Sequence, residues 1–138
     1  MALVDLVIKN ARLVLLDNIF KGGVAINGGK IVKIARSGSL PNSDKVIDAR
    51  ENFLLPGLID CHVHFRDFRE KEKEDWLSGS KAAAAGGVTT VLDMPNNKPP
   101  VISLSQLAKK RKLAGKTSLV NFGFHFAATN DNLEEIKS

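Results

Sequence analysis

The alternation of strand-like and helix-like segments after Pro56 is the feature that most limits how this chain can fold. Apolar segments of strand length cover Leu58 to Phe65, Val88 to Met94 and Ser118 to Phe126, and helix-compatible segments separate them. Strands that alternate with helices are typical of βα units, whose strands lie parallel in one sheet. The sequence therefore predicts the α/β class.

The segments between these strands carry helix start and stop signals. A helix with Trp76 on its core face is predicted to end at Gly86-Gly87, a pair suited to a left-handed C-cap. A capping box at Ser103-Leu104-Ser105-Gln106 opens a second helix, predicted to end at Gly115. Asp131 signals the start of a third helix.

The length of this region limits the number of units. Pro56 to Ser138 comprises 83 residues, enough for nearly three βα units at about 30 residues each. A closed eight-unit barrel needs about 250 residues. Residues 56–138 are therefore predicted to form the first three units of a truncated (β/α)8 barrel.

Residues 1–55 predict a small β-sandwich layer instead. Asn27-Gly28-Gly29 supplies the positive φ angles of a tight hairpin. Asp17-Asn18 is predicted to end a strand, and residues 36–43 are predicted to form a loop. The predicted strands are residues 6–8, 12–16, 24–26, 30–35 and 45–49.

Composition indicates a cytoplasmic protein that binds neither membrane nor nucleic acid. No run of about 18 apolar residues is present, and the first residues do not resemble a signal peptide. The single cysteine, Cys61, has no partner for an internal disulfide. The net charge of +5 derives largely from Lys109-Lys110-Arg111-Lys112, which is interpreted as a solvated helix face.

The first βα strand carries an unusual polar face. Asp60, His62, His64 and Arg66 alternate with Cys61, Val63 and Phe65, so the two sets face opposite sides of the strand. Polar groups on a buried parallel strand cost desolvation unless something compensates, and a bound metal would do so. Cys61 is interpreted as packing against the helices.

His62 and His64 are therefore candidate metal ligands. Residues two apart on a strand lie about 6.5 Å apart, and the carboxyl end of a barrel strand is where such enzymes place their sites. In an isolated His-x-His pair, ordinary hydrogen bonding of both rings would be the favoured interpretation. The strand-end context favours the metal instead.

Three further polar residues are candidates with simpler alternatives. Arg66 could bind a carboxylate or pair with an acid of the following segment, such as Asp67 or Glu70. Asn96 ends the second strand and could bind substrate or serve the turn. His125 on the third strand is interpreted as a hydrogen-bonded interior histidine rather than a ligand.

Three motifs together resemble the dihydroorotases of the amidohydrolase superfamily. They are Pro-Gly-Leu-Ile-Asp-Cys-His-Val-His-Phe-Arg at 56–66, Ala-Ala-Ala-Ala-Gly-Gly-Val-Thr-Thr at 82–90 and Met-Pro-Asn at 94–96. The family begins with a β-layer that its C-terminal residues complete. The resemblance thus makes residues 1–55 the N-terminal β-layer of a composite small domain, and the chain an N-terminal portion.

The resemblance also implies an activity and its site residues. His62 and His64 would ligate zinc, usually a binuclear centre, while Arg66 and Asn96 would bind the substrate α-carboxylate. The reaction would be reversible closure of N-carbamoyl-L-aspartate to L-dihydroorotate in pyrimidine biosynthesis. The remaining ligands and the proton-relaying aspartate lie on later strands in this family, so no catalytic residue is assigned here and the chain alone is expected to be inactive.

Two kinds of alternative remain, another cyclic-amide hydrolase and a homologue without catalytic activity. Hydantoinases and allantoinases share the Pro-Gly, His-x-His and Gly-Gly features but usually lack the arginine at position 66. A non-catalytic homologue could instead serve as a scaffold for aspartate transcarbamoylase, and a homo-oligomer is also compatible with the resemblance. Family members often read Arg-Glu-Pro-Gly where this chain has Arg66-Asp67-Phe68-Arg69.

Overall fold

The computed structural model describes residues 3–137 and shows an α/β chain that divides into two compact units, Met1–Pro56 and Gly57–Ser138. None of the helices in residues 3–137 has the length and apolar character needed to cross a membrane.

The first unit is a five-stranded sheet in the order β3-β2-β1-β4, with β5 also paired to β1. β1 is antiparallel to β2 and parallel to both β4 and β5. The parallel pairings and β5 were not predicted. The strands are β1 (Val4–Val14), β2 (Ile19–Asn27), β3 (Lys30–Ala35), β4 (Ser43–Asp48) and β5 (Phe53–Leu54).

β1 is one strand where the sequence predicted two. Its register with β2 shifts between Ile8 and Ala11, and Asn10 within this irregularity has φ 55°. Asparagine tolerates the left-handed region better than most residues, so the strand continues through a bulge instead of ending. The predicted hairpin is confirmed, because Gly28 and Gly29 have φ 57° and 74° between β2 and β3.

The second unit alternates strands and helices as predicted. Its three strands form a parallel sheet in the order β6-β7-β8. The elements are β6 (Leu58–Val63), α1 (Trp76–Ala85), β7 (Val88–Asp93), α2 (Leu104–Thr117), β8 (Asn121–Phe124) and α3 (Leu133–Lys137).

Trp76 lies at the centre of the core between this sheet and its helices, as predicted. Its side chain is fully buried, and its ring makes edge contacts with Phe65, Phe122 and Phe124 at centroid separations of 4.9 to 5.7 Å. Aromatic pairs in such geometries add to the stabilisation from burial alone. This cluster packs α1 against β8 and against the segment that follows β6.

The helix ends follow local signals in part. Asp75 caps α1, and Gly87, with φ 79°, follows its C-cap at Gly86. Ser103 caps α2 as predicted, but the Gln106 side chain accepts from Ile102 N instead of returning to the N-cap. α2 also continues past Gly115 to Thr117.

Two burial predictions were wrong. Cys61 is exposed, because the helix-packed part of this segment lies further along at Val63 and Phe65. Lys110, predicted to lie on a solvated helix face, is fully buried on α2. Its burial is compensated by an ion pair and hydrogen bonds at the site described next.

Candidate active site

His62 and His64 lie side by side at the carboxyl end of β6. Their ring centroids are 5.1 Å apart with planes inclined at 65°, so the two rings share one face of the strand. The two-residue spacing produces this proximity even though the register with β7 shifts between Asp60 and Val63. Asp60 Oδ1 accepts a hydrogen bond from His62 N at 3.1 Å, which turns that carboxylate toward its own strand.

Asn96, which follows β7, is bonded to His64. The amide oxygen Oδ1 lies 2.8 Å from His64 Nδ1. With Oδ1 as the acceptor, the matching form of the neutral imidazole has its proton on Nδ1 and its lone pair on Nε2. Such a partner on the second nitrogen is the usual arrangement behind a metal-binding histidine.

Arg66 has no ion pair within salt-bridge distance among residues 3–137, and the two acids that the sequence offered as partners bond elsewhere. Asp67 Oδ2 accepts from Trp76 N at 3.0 Å, and Glu70 Oε1 lies 2.6 Å from Lys73 Nζ and 3.4 Å from Lys98 Nζ.

Glu74, an acid of the same segment, lies close enough to Arg66 for the arginine charge to affect the pKa of its carboxyl group. Burial raises the pKa of the Glu74 carboxyl above its ordinary value, and the negative charges of Asp93 and Asp75 add to this increase. The positive charge of Arg66 acts in the opposite direction. Arg66 therefore lies in the electrostatic range of Glu74 without forming an ion pair with it.

His125 follows β8 and contacts the other two strands of the sheet, β7 and β6. Its backbone N donates to Asp93 O, and its Nε2 lies 2.9 Å from the carbonyl oxygen of Cys61, each at hydrogen-bond distance. The ring thus has a backbone partner, as expected for a hydrogen-bonded interior histidine.

A buried cluster that we name the Lys110 clamp supports the site, and the sequence interpretation missed it. Phe65 N donates to Asp93 Oδ1 at 2.8 Å, and Phe65 O accepts from Asn97 Nδ2 at 3.0 Å. Lys110 Nζ lies 2.7 Å from Asp93 Oδ2 and donates to Asn97 Oδ1 at 2.6 Å and to Met94 O at 2.8 Å. The clamp consists of Phe65, Asp93, Met94, Asn97 and Lys110.

A periodic signal could have revealed this lysine. Leu107, Lys110 and Ala114 recur at helical spacing, and Leu113 and Ala114 pack in the core, so Lys110 lies on the apolar stripe of α2. Asp93 is likewise a carboxylate at the end of an apolar strand. Two opposite charges on facing apolar surfaces indicate a buried pair.

Burial shifts both members of this pair toward their neutral forms. Desolvation raises the pKa of Asp93, and it lowers the pKa of Lys110. Their mutual hydrogen bond and charge attraction oppose both shifts. At 2.7 Å with both side chains at most 1% exposed, the attraction between charges is strong enough to hold the ion pair.

The described residues do not form a metal centre by themselves. No group of three or more His, Cys, Asp or Glu side chains in residues 3–137 is arranged to hold a metal ion. His62 and His64 place two imidazoles at one edge of the sheet, and Asn96 contacts the second of them.

Parallel strands flanked by helices, with two adjacent imidazoles at the carboxyl edge, define an α/β protein with an enzyme-like site. The sequence model of the Amidohydrolase family matches residues 53–137. The chain belongs to the amidohydrolase family.

Curated relatives and solved structures agree with this membership. The chain is 42% identical over 133 residues to a dihydroorotase of Methanosarcina mazei, covering 96% of this chain and 29% of that protein. A dihydroorotase of Methanothermobacter thermautotrophicus is 45% identical over 88% of this chain and 27% of its own length. The chain thus spans less than a third of these relatives.

A hydantoinase structure is also similar. The L-hydantoinase from Arthrobacter aurescens superposes with a TM-score of 0.91 at 34% identity, covering 98% of this chain and 30% of that one. The similar proteins are therefore named for two different ring substrates.

Proposed function

We propose that the protein to which this chain belongs is a dihydroorotase, which interconverts N-carbamoyl-L-aspartate and L-dihydroorotate plus water. The observation that carries the proposal is the convergence of His62, His64 and Asn96 at one sheet edge, with Arg66 unpaired nearby among residues 3–137. Dihydroorotases that cover most of this chain at 42 to 45% identity support it.

Substrate binding would depend on Arg66 and Asn96. The substrate carries a carboxylate on the ring carbon, and the planar guanidinium of Arg66 can donate two parallel hydrogen bonds to its oxygens. Asn96 Nδ2 remains a donor while Oδ1 accepts from His64, so one amide could contact both the imidazole and the carboxylate. A bound ring would then be oriented relative to His62 and His64.

The two imidazoles fit a zinc centre that the rest of the protein completes. His64 Nδ1 contacts Asn96, its Nε2 has no hydrogen-bond partner among residues 3–137, and the ring of His62 lies beside it. A catalytic zinc site uses three protein ligands, so the proposal places at least one further ligand outside this sequence. When bound, the metal would lower the pKa of a coordinated water and polarise the ring carbonyl.

We further propose that the fold of residues 56–138 is the start of a (β/α)8 barrel, with residues 1–55 forming part of a composite small domain. Three parallel strands with intervening helices and a carboxyl-edge site support this proposal.

L-hydantoinase activity is the second candidate, because the L-hydantoinase structure superposes so closely. Hydantoin rings carry no carboxylate, so this activity gives Arg66 no partner. A substrate panel separates the candidates: the full-length protein, loaded with zinc, is assayed with dihydroorotate, hydantoin and allantoin.

We expect the highest kcat/KM with dihydroorotate. A preference for hydantoin or allantoin would reject the dihydroorotase assignment and retain a cyclic amidohydrolase. Absence of turnover on all three rings by a folded, zinc-loaded protein would favour a non-catalytic scaffold, and co-purification with aspartate transcarbamoylase would then be the next measurement.

A further inference from the structure

We infer that Lys110 is a positioning residue, which acts through Asp93 and Asn97 to fix the geometry of the His64–Asn96 pair. The inference concerns residues that neither a sequence motif nor a relative's name assigns to the site. The loss of activity that it predicts rests on the proposed function, whereas the change in the His64 tautomer that it predicts does not.

The clamp controls the two backbone segments that carry the site. Phe65 lies between His64 and Arg66, and both its N–H and its carbonyl are held, by Asp93 and Asn97. Asn97 directly follows Asn96 in the chain. Movement of either held residue would displace a neighbouring site side chain, so the clamp links the ends of β6 and β7.

Lys110 is suited to this position by its number of donors. An ammonium group has three N–H donors and no acceptor. Three oxygens lie within 2.6 to 2.8 Å of Nζ: Asp93 Oδ2, Asn97 Oδ1 and Met94 O. The ammonium group is therefore held by two hydrogen bonds and one ion pair, and because the side chain is 0% exposed, water cannot readily replace these partners.

Stability alone explains this arrangement poorly. A buried ion pair is often no more stabilising than apolar residues of similar volume, because both charges must lose their hydration. A charged residue on an apolar helix stripe, with its ammonium group surrounded by oxygens of one loop junction, suits a role in specifying geometry. The geometry specified is the 2.8 Å contact between His64 Nδ1 and Asn96 Oδ1.

The test uses the metal-free full-length protein labelled with 15N-histidine. Long-range 1H–15N spectra at about pH 8.5, where an ordinary imidazole with pKa near 6.5 is neutral, report the tautomer of His64. The variants are Lys110→Met, which removes all three donors, and Asn97→Ala, which keeps the Lys110–Asp93 ion pair but releases Phe65 O. Ala114→Gly, a buried change on the same helix outside the clamp, is the matched control for destabilisation.

We expect a single Nδ1–H tautomer of His64 in the wild type and in Ala114→Gly. In Lys110→Met and Asn97→Ala the other tautomer should rise several-fold. If Lys110→Met does not fold, Asn97→Ala decides the outcome. Unchanged His64 signals in folded Asn97→Ala, or an equal change in Ala114→Gly, would overturn the inference.

A kinetic measurement keeps this result separate from the proposed function. With dihydroorotate and zinc, kcat/KM should fall at least tenfold in Lys110→Met and Asn97→Ala, and by much less in Ala114→Gly. If the wild-type protein is inactive on dihydroorotate, the proposed function is refuted. The tautomer measurement alone then decides whether Lys110 is a positioning residue. If the wild type is active and the clamp variants keep its kcat/KM, the positioning role of Lys110 is refuted and the proposed function stands.

Discussion

The ring of Phe65 occupies the space that a side chain at position 79 would need. A Cβ built on Gly79 would lie 2.5 Å from Cε1 and 2.6 Å from Cδ1 of that ring. Both residues are buried, and the ring also contacts Trp76. The glycine within α1 is therefore required by packing, despite its low helix propensity.

Gly79→Ala should destabilise the second unit. Alanine gains about 1 kcal/mol of helix propensity over glycine, but overpacking a buried site costs about 1 to 3 kcal/mol. The ring cannot move freely because Trp76 lies against it. We expect a net loss of about 1 kcal/mol in the free energy of unfolding, measured by urea denaturation.

Gly115→Ala on α2 is the matched control. Its added Cβ would meet only Phe122 Cζ, at 3.8 Å, which is an ordinary contact. Gly115 is exposed, so the propensity gain should stabilise the protein by about 0.5 to 1 kcal/mol. If both substitutions stabilise the protein equally, the distance between α1 at position 79 and the Phe65 ring must be larger than in the structure.

The buried ion pair leads to a second prediction about stability. Lys110→Met should cost about 3 to 5 kcal/mol, because it leaves the Asp93 carboxylate buried without its cation. Asp93→Asn/Lys110→Met removes both charges and keeps an acceptor for Phe65 N, so the double variant should be more stable than Lys110→Met alone.

Lys112→Met is the control for the loss of a positive charge. Lys112 lies on the exposed face of the same helix, and surface substitutions usually change stability by less than about 0.5 kcal/mol. Chemical denaturation of the three variants tests the pair. A double variant less stable than Lys110→Met would contradict the attribution to an uncompensated charge.

Local signals were sufficient for part of this structure. Gly28 and Gly29 specify their own backbone conformation, and the spacing of His62 and His64 alone places both rings on one strand face. The order of strands and helices after residue 56 follows from hydrophobic pattern in the same way. Each of these features is encoded within a few neighbouring residues.

The features that the sequence did not reveal depend on distant partners. Lys110 is buried because Asp93 and Asn97, 17 and 13 residues earlier, compensate its charge. Helical spacing marks the face on which this lysine lies, but the tertiary fold decides which residues meet it there. The parallel pairing of β4 with β1 is likewise set by residues separated by more than 35 positions. The roles of Arg66 and Asn96 toward a substrate remain predictions, although the structure adds the contact between Asn96 and His64.

Acid should weaken the cap of α1. Two hydrogen bonds from Ser78, the stronger from its backbone N and the weaker from its side chain, lower the pKa of the Asp75 carboxyl below its ordinary value of 3.8. Because the folded pKa is the lower one, this stabilisation is complete above about pH 4 and is lost as the pH falls through the folded pKa.

Asp75→Asn separates the charge from the cap. Asparagine is also a good N-cap residue but does not titrate in this range. The stability difference between wild type and Asp75→Asn should therefore be larger at about pH 6 than at about pH 2.5. Glu72→Gln, an exposed acid of the same segment, controls for net charge. A difference independent of pH would contradict the assigned cap interaction.

Arg66→Lys in the full-length protein tests the proposed carboxylate contact. Lysine keeps the positive charge but loses the planar pair of donors, so a carboxylate would be held by one hydrogen bond where arginine offers two. Hydrogen bonds to charged groups contribute about 1.5 to 3 kcal/mol, which corresponds to a roughly tenfold to hundredfold loss of kcat/KM for dihydroorotate. Zinc content should stay at the wild-type level, because Arg66 is not a proposed ligand, whereas His64→Ala should lose zinc.

Lys98→Arg, which alters an exposed cation paired with Glu70, is the control for a change of basic side chain nearby. Full kcat/KM in Arg66→Lys, or a loss explained entirely by reduced zinc, would remove Arg66 from the substrate site.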